Sequence, residues 1–599
     1  MSLSLKLAAL AAVGNPVRIG VIGAGKFGSM FLSQAPRTPG LHIVGIADLD
    51  VARARQSCAR VGWPAERYAA GSFREAMRNG NTCIGDDAEA LIAADGIEII
   101  IESTGNAAAG IRHALLCCKH RRHIVMVNVE ADALAGPLLA RRAAEAGILY
   151  SFAYGDQPAL VAELVDWARI AGFEVICAGK GTKYLPIYHQ STPKTVWGHY
   201  GFTEEQVAGG DFNAQMFNSF LDGTKSALEM AAVANACDLE PGADGLAFPP
   251  CGVDDLPSVL RPRQDGGALV HRGTVEVVSS LERDGRPVFR DLRWGVYVTF
   301  EASSDYVRKC FAEYGLKTDS TGRYAAMYKP YHLIGLELGI TVANIAVRGE
   351  ATGATRDFRG DVVATAKRDL APGERLDGEG GYMVYGKLMP AARSLAVSGL
   401  PIGLAHNVVL KQPVQAGQAV RWQDVTFDAN DQAICLPRNG GDVPRQKFGV
   451  SHALSRQTSD TEALRSTSCA RPLRWYFIAR NGHIPFAIVC SSRHATQTST
   501  SSHARKNLPS GFVSTQDWRL KCITALSQDC ALGYTSALPS RCWRRSDLRL
   551  LSSRLILTKR LMRSRPHRRS SMSSSSSARI AALITSSRPI CRRRRKRKS

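Results

Sequence analysis

The chain has 599 residues, 45% of them hydrophobic, enough to bury a large core and to divide into about three or four domains. The net charge of +23 points toward nucleic acid until it is located: residues 446–599 hold 31 Lys and Arg against 5 Asp and Glu, so residues 1–445 are slightly acidic. No run of about 18 apolar residues occurs, so no membrane-spanning helix is expected, and scattered cysteines without C-x-x-C spacing in residues 1–445 suggest reduced, packed thiols and a cytoplasmic setting.

Residues 5–13 form a short apolar stretch with one lysine, read as a leading helix rather than a secretory signal. Residues 17–22 are an apolar strand that runs straight into Gly23-Ala24-Gly25-Lys26-Phe27-Gly28, a G-x-G-x-x-G turn. Gly23 supplies the tight turn, Gly25 lets a pyrophosphate approach the backbone, and Gly28 lets the following helix pack closely on the strand. The helix start offers free N–H groups and a positive dipole end to phosphates. A second strand, residues 41–46, leads to Asp48, 20 residues past Gly28, where a dinucleotide fold places the carboxylate for the adenosine ribose hydroxyls. Asp48 favours NAD over NADP, because a 2′-phosphate beside it would be repelled; nearby Arg53 softens that preference.

Residues 97–102 are a buried strand ending in Ser103-Thr104-Gly105, and residues 107–120 are helical. Residues 123–129 are the next strand, ending at Glu130, followed by a helix over 133–146 and a strand over 148–153. This alternation predicts an α/β fold, with a doubly wound parallel Rossmann sheet over residues 1–150. Ligands of such sheets lie beyond the carboxyl ends of the strands, so Ser103, Thr104, Gly105, Asn128 and Glu130 are expected near the nicotinamide half of NAD or NADP.

Residues 151–350 are expected to form an α+β catalytic domain. Asp156 lies in a Gly-Asp-Gln-Pro turn opening a helix; it could orient a substrate hydroxyl, help bind a divalent cation, or simply cap the helix. A strand over 173–178 runs into a loop, Gly179 to Lys183, from which Lys180 and Lys183 could reach a substrate carbonyl or phosphate, or could be two solvated lysines. On a helix Asp222, Lys225 and Glu229 fall on one face, and a lysine between two carboxylates can hold a substrate oxygen and pass protons. Against this stand an N-cap role for Asp222 and a plain Lys225–Glu229 ion pair. Residues 241–270, rich in Gly, Pro and Asp, read as a surface loop or lid, and residues 273–302 as strands. His332 is a weaker candidate. No zinc-ligand spacing, Walker A motif or G-x-S-x-G elbow is present.

Residues 360–430 are a small β-rich unit whose segments 366–374 and 413–425 share a turn-then-glycine pattern, consistent with a compact barrel of two related halves. Residues 440–599 are a Ser- and Arg-rich tail, expected to be disordered. It reads either as a nucleic-acid or nuclear-targeting tail, or as text translated past a frameshift.

Together these motifs resemble the homoserine-dehydrogenase-like oxidoreductases that carry a C-terminal SAF domain, among them the 1-deoxy-D-xylulose 5-phosphate reductoisomerase-like (DRL-like) enzymes. The resemblance covers about residues 10–435 and rests on six segments: 23–28, 126–132 (Met-Val-Asn-Val-Glu-Ala-Asp), 155–158, 178–181, 220–235 and 329–333 (Lys-Pro-Tyr-His-Leu). It implies an NAD(P)-dependent oxidoreductase with a SAF-like β domain. The reductoisomerase-like branch rearranges a deoxyketose phosphate and reduces the resulting aldehyde with NADPH, aided by a divalent metal such as Mg²⁺ or Mn²⁺, to give 2-C-methyl-D-erythritol 4-phosphate. Two departures stand out: Val129-Glu130 replaces the lysine that homoserine dehydrogenases carry there, and Asp48 argues for NAD. The expected partners are a small-molecule substrate and further copies of the chain, with no membrane, and nucleic acid only through the tail. A different class remains open, a non-catalytic dinucleotide sensor that uses its SAF unit for binding.

Overall fold

The computed structural model describes residues 2–209 and 212–426. Both readings of the tail lie outside the described residues. Six strands, β1 (Val17–Ile22), β2 (Leu41–Ala47), β3 (Cys83–Gly85), β4 (Ile99–Glu102), β5 (His123–Met126) and β6 (Tyr150–Phe152), form a wholly parallel sheet in the order β3-β2-β1-β4-β5-β6. This is the doubly wound order, with its switch point between β1 and β4. Both faces are covered, so the strands read as unbroken runs of buried Ile and Val rather than as alternating patterns.

Two of the helices that follow strands of this sheet start at a capping asparagine. Asn106 accepts from the Ala109 amide to open Ala107–His120, the span expected from the sequence. Asn128 accepts from the Ala131 amide to open Val129–Ala146. The strand predicted over 123–129 therefore stops at Met126, because capping pulls Asn128 out of extended register and Val129 already belongs to the helix.

A second sheet contains β7 (Glu174–Thr182), β8 (Glu240–Pro241), β9 (Thr274–Ser279), β10 (Val296–Glu301) and β11 (Tyr324–Lys329), in the order β11-β10-β7-β9-β8. The central β7 runs antiparallel to β10 and parallel to β9. Helices Gln157–Ile170 and Thr224–Cys237 cover one face. The segment expected to be a surface loop or lid covers the other: Cys251, Leu256, Leu260 and Leu269 are buried against Ile176, Val278 and Tyr297. The Gly, Pro and Asp residues of 241–270 make its turns, while its apolar residues close the sheet.

The last described strands are β12 (Gly360–Ala366), β13 (Arg375–Asp377), β14 (Val384–Pro390), β15 (His406–Leu410) and β16 (Val425–Thr426). β12 pairs with β14, and β13, β15 and β16 form a three-stranded sheet. The two segments with the shared turn pattern meet directly: the amides of Leu370 and Val414 each donate to the other's carbonyl at 2.8 and 3.0 Å. β12 and β14 pack on Thr224–Cys237, so their apolar residues join the core of the second sheet.

Candidate active site

Lys180 was expected on a loop; it lies inside β7, opposite Val296 of β10 and Val277 of β9. The neighbouring glycines serve close packing rather than a turn. A Cβ on Gly179 would sit 1.8 Å from the Glu276 carbonyl oxygen, and one on Gly181 would sit 1.9 Å from that of Leu292. β7 thus holds Lys180 rigidly, with its side chain 7% exposed and ion-paired to Glu229, itself 3% exposed. Lys183, one residue past the strand, donates to the His199 carbonyl at 2.6 Å and takes no part in this cluster.

Asp222, Lys225 and Glu229 do not act as one triad. Asp222 precedes the helix Thr224–Cys237, where its Oδ1 accepts from the Thr224 amide at 2.9 Å and its Oδ2 pairs with Lys367 at 2.8 Å. Gly223, at φ +89°, makes the break between the two helices that isolates Asp222 from the face of Lys225. The anticipated Lys225–Glu229 pair is replaced by two longer-range ones. Glu229 takes Lys180, and Lys225 reaches Glu130 at 2.6 Å on the first turn of Val129–Ala146. Glu130, expected beside the nicotinamide, therefore ties the first sheet's helices to the second sheet's.

Asp156 caps Gln157–Ile170, accepting from the Gln157 amide at 2.9 Å. It also faces the charge cluster. Burial first, then the Glu229 carboxylate, push its pKa up to about 7, against the pull of Lys225 and Lys180. Lys225 moves the opposite way: burial disfavours its charge, but Glu130, Glu379, Glu229 and Asp156 outweigh burial and hold it well above the usual lysine range. Lys225 is consequently a permanent ammonium, and Asp156 is a group that changes protonation near neutrality. His332 joins from the segment after β11. Its Nε2 lies 3.0 Å from Gln157 Nε2 and its Nδ1 2.7 Å from the Trp294 carbonyl, which fits a neutral ring that donates from Nδ1 and accepts at Nε2; burial holds its pKa below the ordinary value. A cavity of about 10 Å³ reaches Asp156 between Val127, Val129, Phe152 and Pro158. A larger one of about 400 Å³, lined by Pro137, Arg141, Thr355 and Arg356, contains none of the cluster.

The dinucleotide motif is built as the glycines suggest. Gly23, at φ +94°, leaves no room for a Cβ, which would be 2.7 Å from the Ser103 carbonyl oxygen. A Cβ on Gly28 would be 2.5 Å from the Gly23 carbonyl oxygen, so this glycine seats the helix Lys26–Gln34 on the turn. Gly25 differs: a Cβ there would meet nothing within 4 Å, and no side chain caps the helix it opens. This uncapped helix start, beside exposed Lys26 and half-buried Phe27, leaves room at Gly25 for a pyrophosphate. Asp48 is buried and engaged, accepting from the Ala24 amide at 2.7 Å, the Asp50 amide at 2.9 Å and Arg53 Nη2 at 2.8 Å. Burial pushes the Asp48 carboxyl up, but these donors outweigh it and hold the pKa below the usual aspartate value. Ser103 donates to the Ile22 and Gly23 carbonyls, Gly105 turns at φ +69°, and Asn128 Nδ2 lies 3.3 Å from Thr104 Oγ1. All sit at the carboxyl ends of β4 and β5.

A divalent metal fits these residues poorly. Among the described residues no three His, Cys, Asp or Glu side chains converge as ligands, and Glu130 and Glu229 already hold lysines. Sequence reasoning missed Lys367 and Glu379; the run Asp377-Gly378-Glu379-Gly380-Gly381, an acid framed by glycines, was the available signal.

Residues 155–338 match the model of the catalytic domain of oxidoreductase DRL. That span holds Asp156, Lys180, Asp222, Lys225, Glu229 and His332, and the chain accordingly carries an oxidoreductase catalytic domain. No curated protein matches. Among solved structures, a probable dehydrogenase from Thermotoga maritima is 15% identical, covering 56% of this chain and 90% of that one, with a TM-score of 0.31. The 1-deoxy-D-xylulose 5-phosphate reductoisomerase of Zymomonas mobilis, in complex with NADPH, is 16% identical over 37% of this chain and 57% of that one (TM-score 0.26). An oxidoreductase from Agrobacterium radiobacter, in complex with NAD⁺, L-tartaric acid and magnesium, is 15% identical; the alignment covers 28% of this chain and 44% of that one (TM-score 0.20).

Proposed function

We propose that the chain is an NAD(P)-dependent oxidoreductase that moves a hydride between nicotinamide and a small carbonyl, polyol or sugar-phosphate substrate. The observation that carries this reading is the buried Lys180–Glu229 pair with the part-buried Lys225 and Asp156 of the same charge cluster, all within the span that matches an oxidoreductase catalytic domain. Gly23, Gly25, Lys26, Phe27, Gly28 and Asp48 would hold the adenosine and pyrophosphate half of the cofactor, and Ser103, Thr104, Gly105 and Asn128 the nicotinamide half. The cofactor supplies or accepts the hydride. Lys180, fixed in β7, polarises the substrate oxygen. Lys225, held charged by its carboxylates, stabilises the negative charge that develops there. Asp156, which titrates at about 7, gives up or takes the proton that accompanies the hydride. Asp222 serves at a distance by fixing, with Lys367, the break before the helix of Lys225.

The substrate we propose to try is 1-deoxy-D-xylulose 5-phosphate. The test is loss of nicotinamide absorbance when the full chain is given NADPH or NADH with this substrate. Consumption of cofactor, abolished in Lys180→Ala and Lys225→Ala variants that still bind cofactor, supports the reading. Unchanged rates in both variants refute the site. Cofactor binding without turnover of this substrate refutes the substrate and leaves sugar acids and polyols to be screened.

A further inference from the structure

His332 has no part in the chemistry above, yet its ring joins two segments that carry residues of the site. Its Nδ1 lies 2.7 Å from the Trp294 carbonyl oxygen and its Nε2 lies 3.0 Å from Gln157 Nε2. A side-chain amide nitrogen only donates, so His332 Nε2 accepts there and the ring proton sits on Nδ1, aimed at Trp294. One neutral tautomer meets both contacts. Gln157 directly follows Asp156 and is 7% exposed. Trp294 belongs to the turn that leads into β10, where the Gly181 amide donates to the Gly295 carbonyl at 3.0 Å and Val296 stands opposite Lys180. The imidazole therefore ties the turn of Asp156 to the pair of strands that holds Lys180.

The segment that carries His332 is anchored on either side of the ring. Before it, Lys329 Nζ donates to Tyr154 Oη at 2.7 Å and pairs with Glu163. After it, the Leu333 amide donates to Glu337 Oε2 at 3.2 Å. A Cβ on Gly155 would lie 2.7 Å from the Leu333 carbonyl oxygen, and one on Gly335, at φ +72°, would lie 2.8 Å from the Phe27 carbonyl oxygen. The segment is thus wedged between the Gly155–Gln157 turn and the helix Lys26–Gln34, which opens at the dinucleotide turn. These contacts fix where the ring stands.

We propose that His332 is a positioning residue of this site, acting through Gln157 to hold the Asp156 turn in place beside the strand of Lys180. The proposal rests on the reading of Asp156 as the group that transfers the proton. The charged groups that face the ring are Lys180 of β7 and Glu229 of Thr224–Cys237. Burial lowers the ring's pKa most, Lys180 lowers it further, and the pull of the Trp294 carbonyl and of Glu229 does not restore the ordinary histidine value. The ring is therefore neutral where Asp156 titrates, and the clamp is closed. Breaking the bond to Gln157 frees the turn and lets water reach Asp156, whose raised pKa is first of all an effect of burial.

The experiment is an infrared pH titration of the full chain that follows the carbonyl band of protonated carboxyl groups, with Asp156→Asn marking the step that belongs to Asp156. In wild type that step lies at about 7. In His332→Leu and in Gln157→Met it moves by about half a pH unit or more toward the ordinary aspartate value. In the double variant it moves no further than in either single one, because each change breaks the same bond. A step that stays at about 7 in the single variants overturns the proposal, and so do shifts that add in the double one. Should His332→Leu fail to fold, Gln157→Met decides alone, and an unmoved step in it overturns the proposal equally. If Asp156→Asn removes no step near 7, the reading of Asp156 fails and takes the proposal with it. A second readout is the reduction of 1-deoxy-D-xylulose 5-phosphate by NADPH. In His332→Leu and Gln157→Met kcat falls by about tenfold or more while the KM for NADPH holds, since the displaced group is the proton donor and not a cofactor contact. An unchanged kcat overturns the positioning role. If wild type consumes no NADPH with this substrate, the substrate reading fails instead, and the infrared step alone decides the role of His332.

Discussion

Lys180 and Glu229 are almost wholly enclosed and neutralise one another. A buried pair of this kind adds little net stability, but removing one partner strands the other without water. Lys180→Ala is expected to cost about 3–5 kcal/mol of unfolding free energy in a denaturant titration. The double change Lys180→Met with Glu229→Leu should recover most of that loss while activity stays lost. Asp156 makes a prediction of opposite character. An aspartate in the unfolded chain titrates near about 3.9, whereas Asp156 in the fold keeps its proton to about 7. Between those values the folded form holds more protons, so Asp156 makes stability fall as pH rises from about 4 to about 7 and then level off. Asp156→Asn should flatten that segment of the stability profile. It should also remove the fall in carbonyl-reduction rate through pH 7, since an amide has no proton to give.

At the scale of elements, the first sheet was almost fully legible in the sequence, and the second was not. β1, β2 and β4 are continuous apolar runs bounded by glycine or polar caps, so period and punctuation agree. β7 breaks that rule, because Gly179 and Gly181 read as turn residues but are required where backbones of β9 and the 292–295 segment press against the strand. That single ambiguity moved Lys180 from a strand to a loop. The pairing of Lys225 with Glu130 was hidden for another reason: the two are 95 positions apart, and helical spacing speaks only of neighbours three or four residues away. Asn235 shows how far the Thr224–Cys237 helix reaches into other elements. Its Oδ1 accepts from the Arg359 and Gly360 amides, and its Nδ2 donates to the Gly360 carbonyl. Asn235→Ala would leave these buried groups unpaired at about 1–3 kcal/mol each, and hydrogen exchange along β12 should quicken before that of β4.

For the molecule as a whole, the apolar core of the second sheet continues without interruption into the small β unit, from Val129 and Leu160 through Ala231 to Val362, Leu388 and Val425. These parts should therefore unfold together. Leu388→Ala, at a 2% exposed position, is expected to cost about 2–5 kcal/mol, and probes in β9 and β14 should report one coincident transition. Lys225→Ala should leave the affinity for NADPH, read by nicotinamide fluorescence, unchanged, since the residues proposed to hold the cofactor lie at the carboxyl ends of β1, β2, β4 and β5 and not on the Thr224–Cys237 helix. Among the described residues no helix is long and apolar enough to cross a membrane.

Each cation of the cluster is already in the grip of an internal anion: Lys180 with Glu229, Lys225 with Glu130, Lys367 with Asp222. On the proposed reading, a substrate oxygen would arrive as a rival and have to trade places with, or lean on, a carboxylate that belongs to the protein. Binding by such an exchange gives modest affinity and easy release, since the displaced partner stays tethered and returns as product departs. At the enclosed Lys180–Glu229 pair such an exchange would depend little on added salt, because solvent ions scarcely reach it.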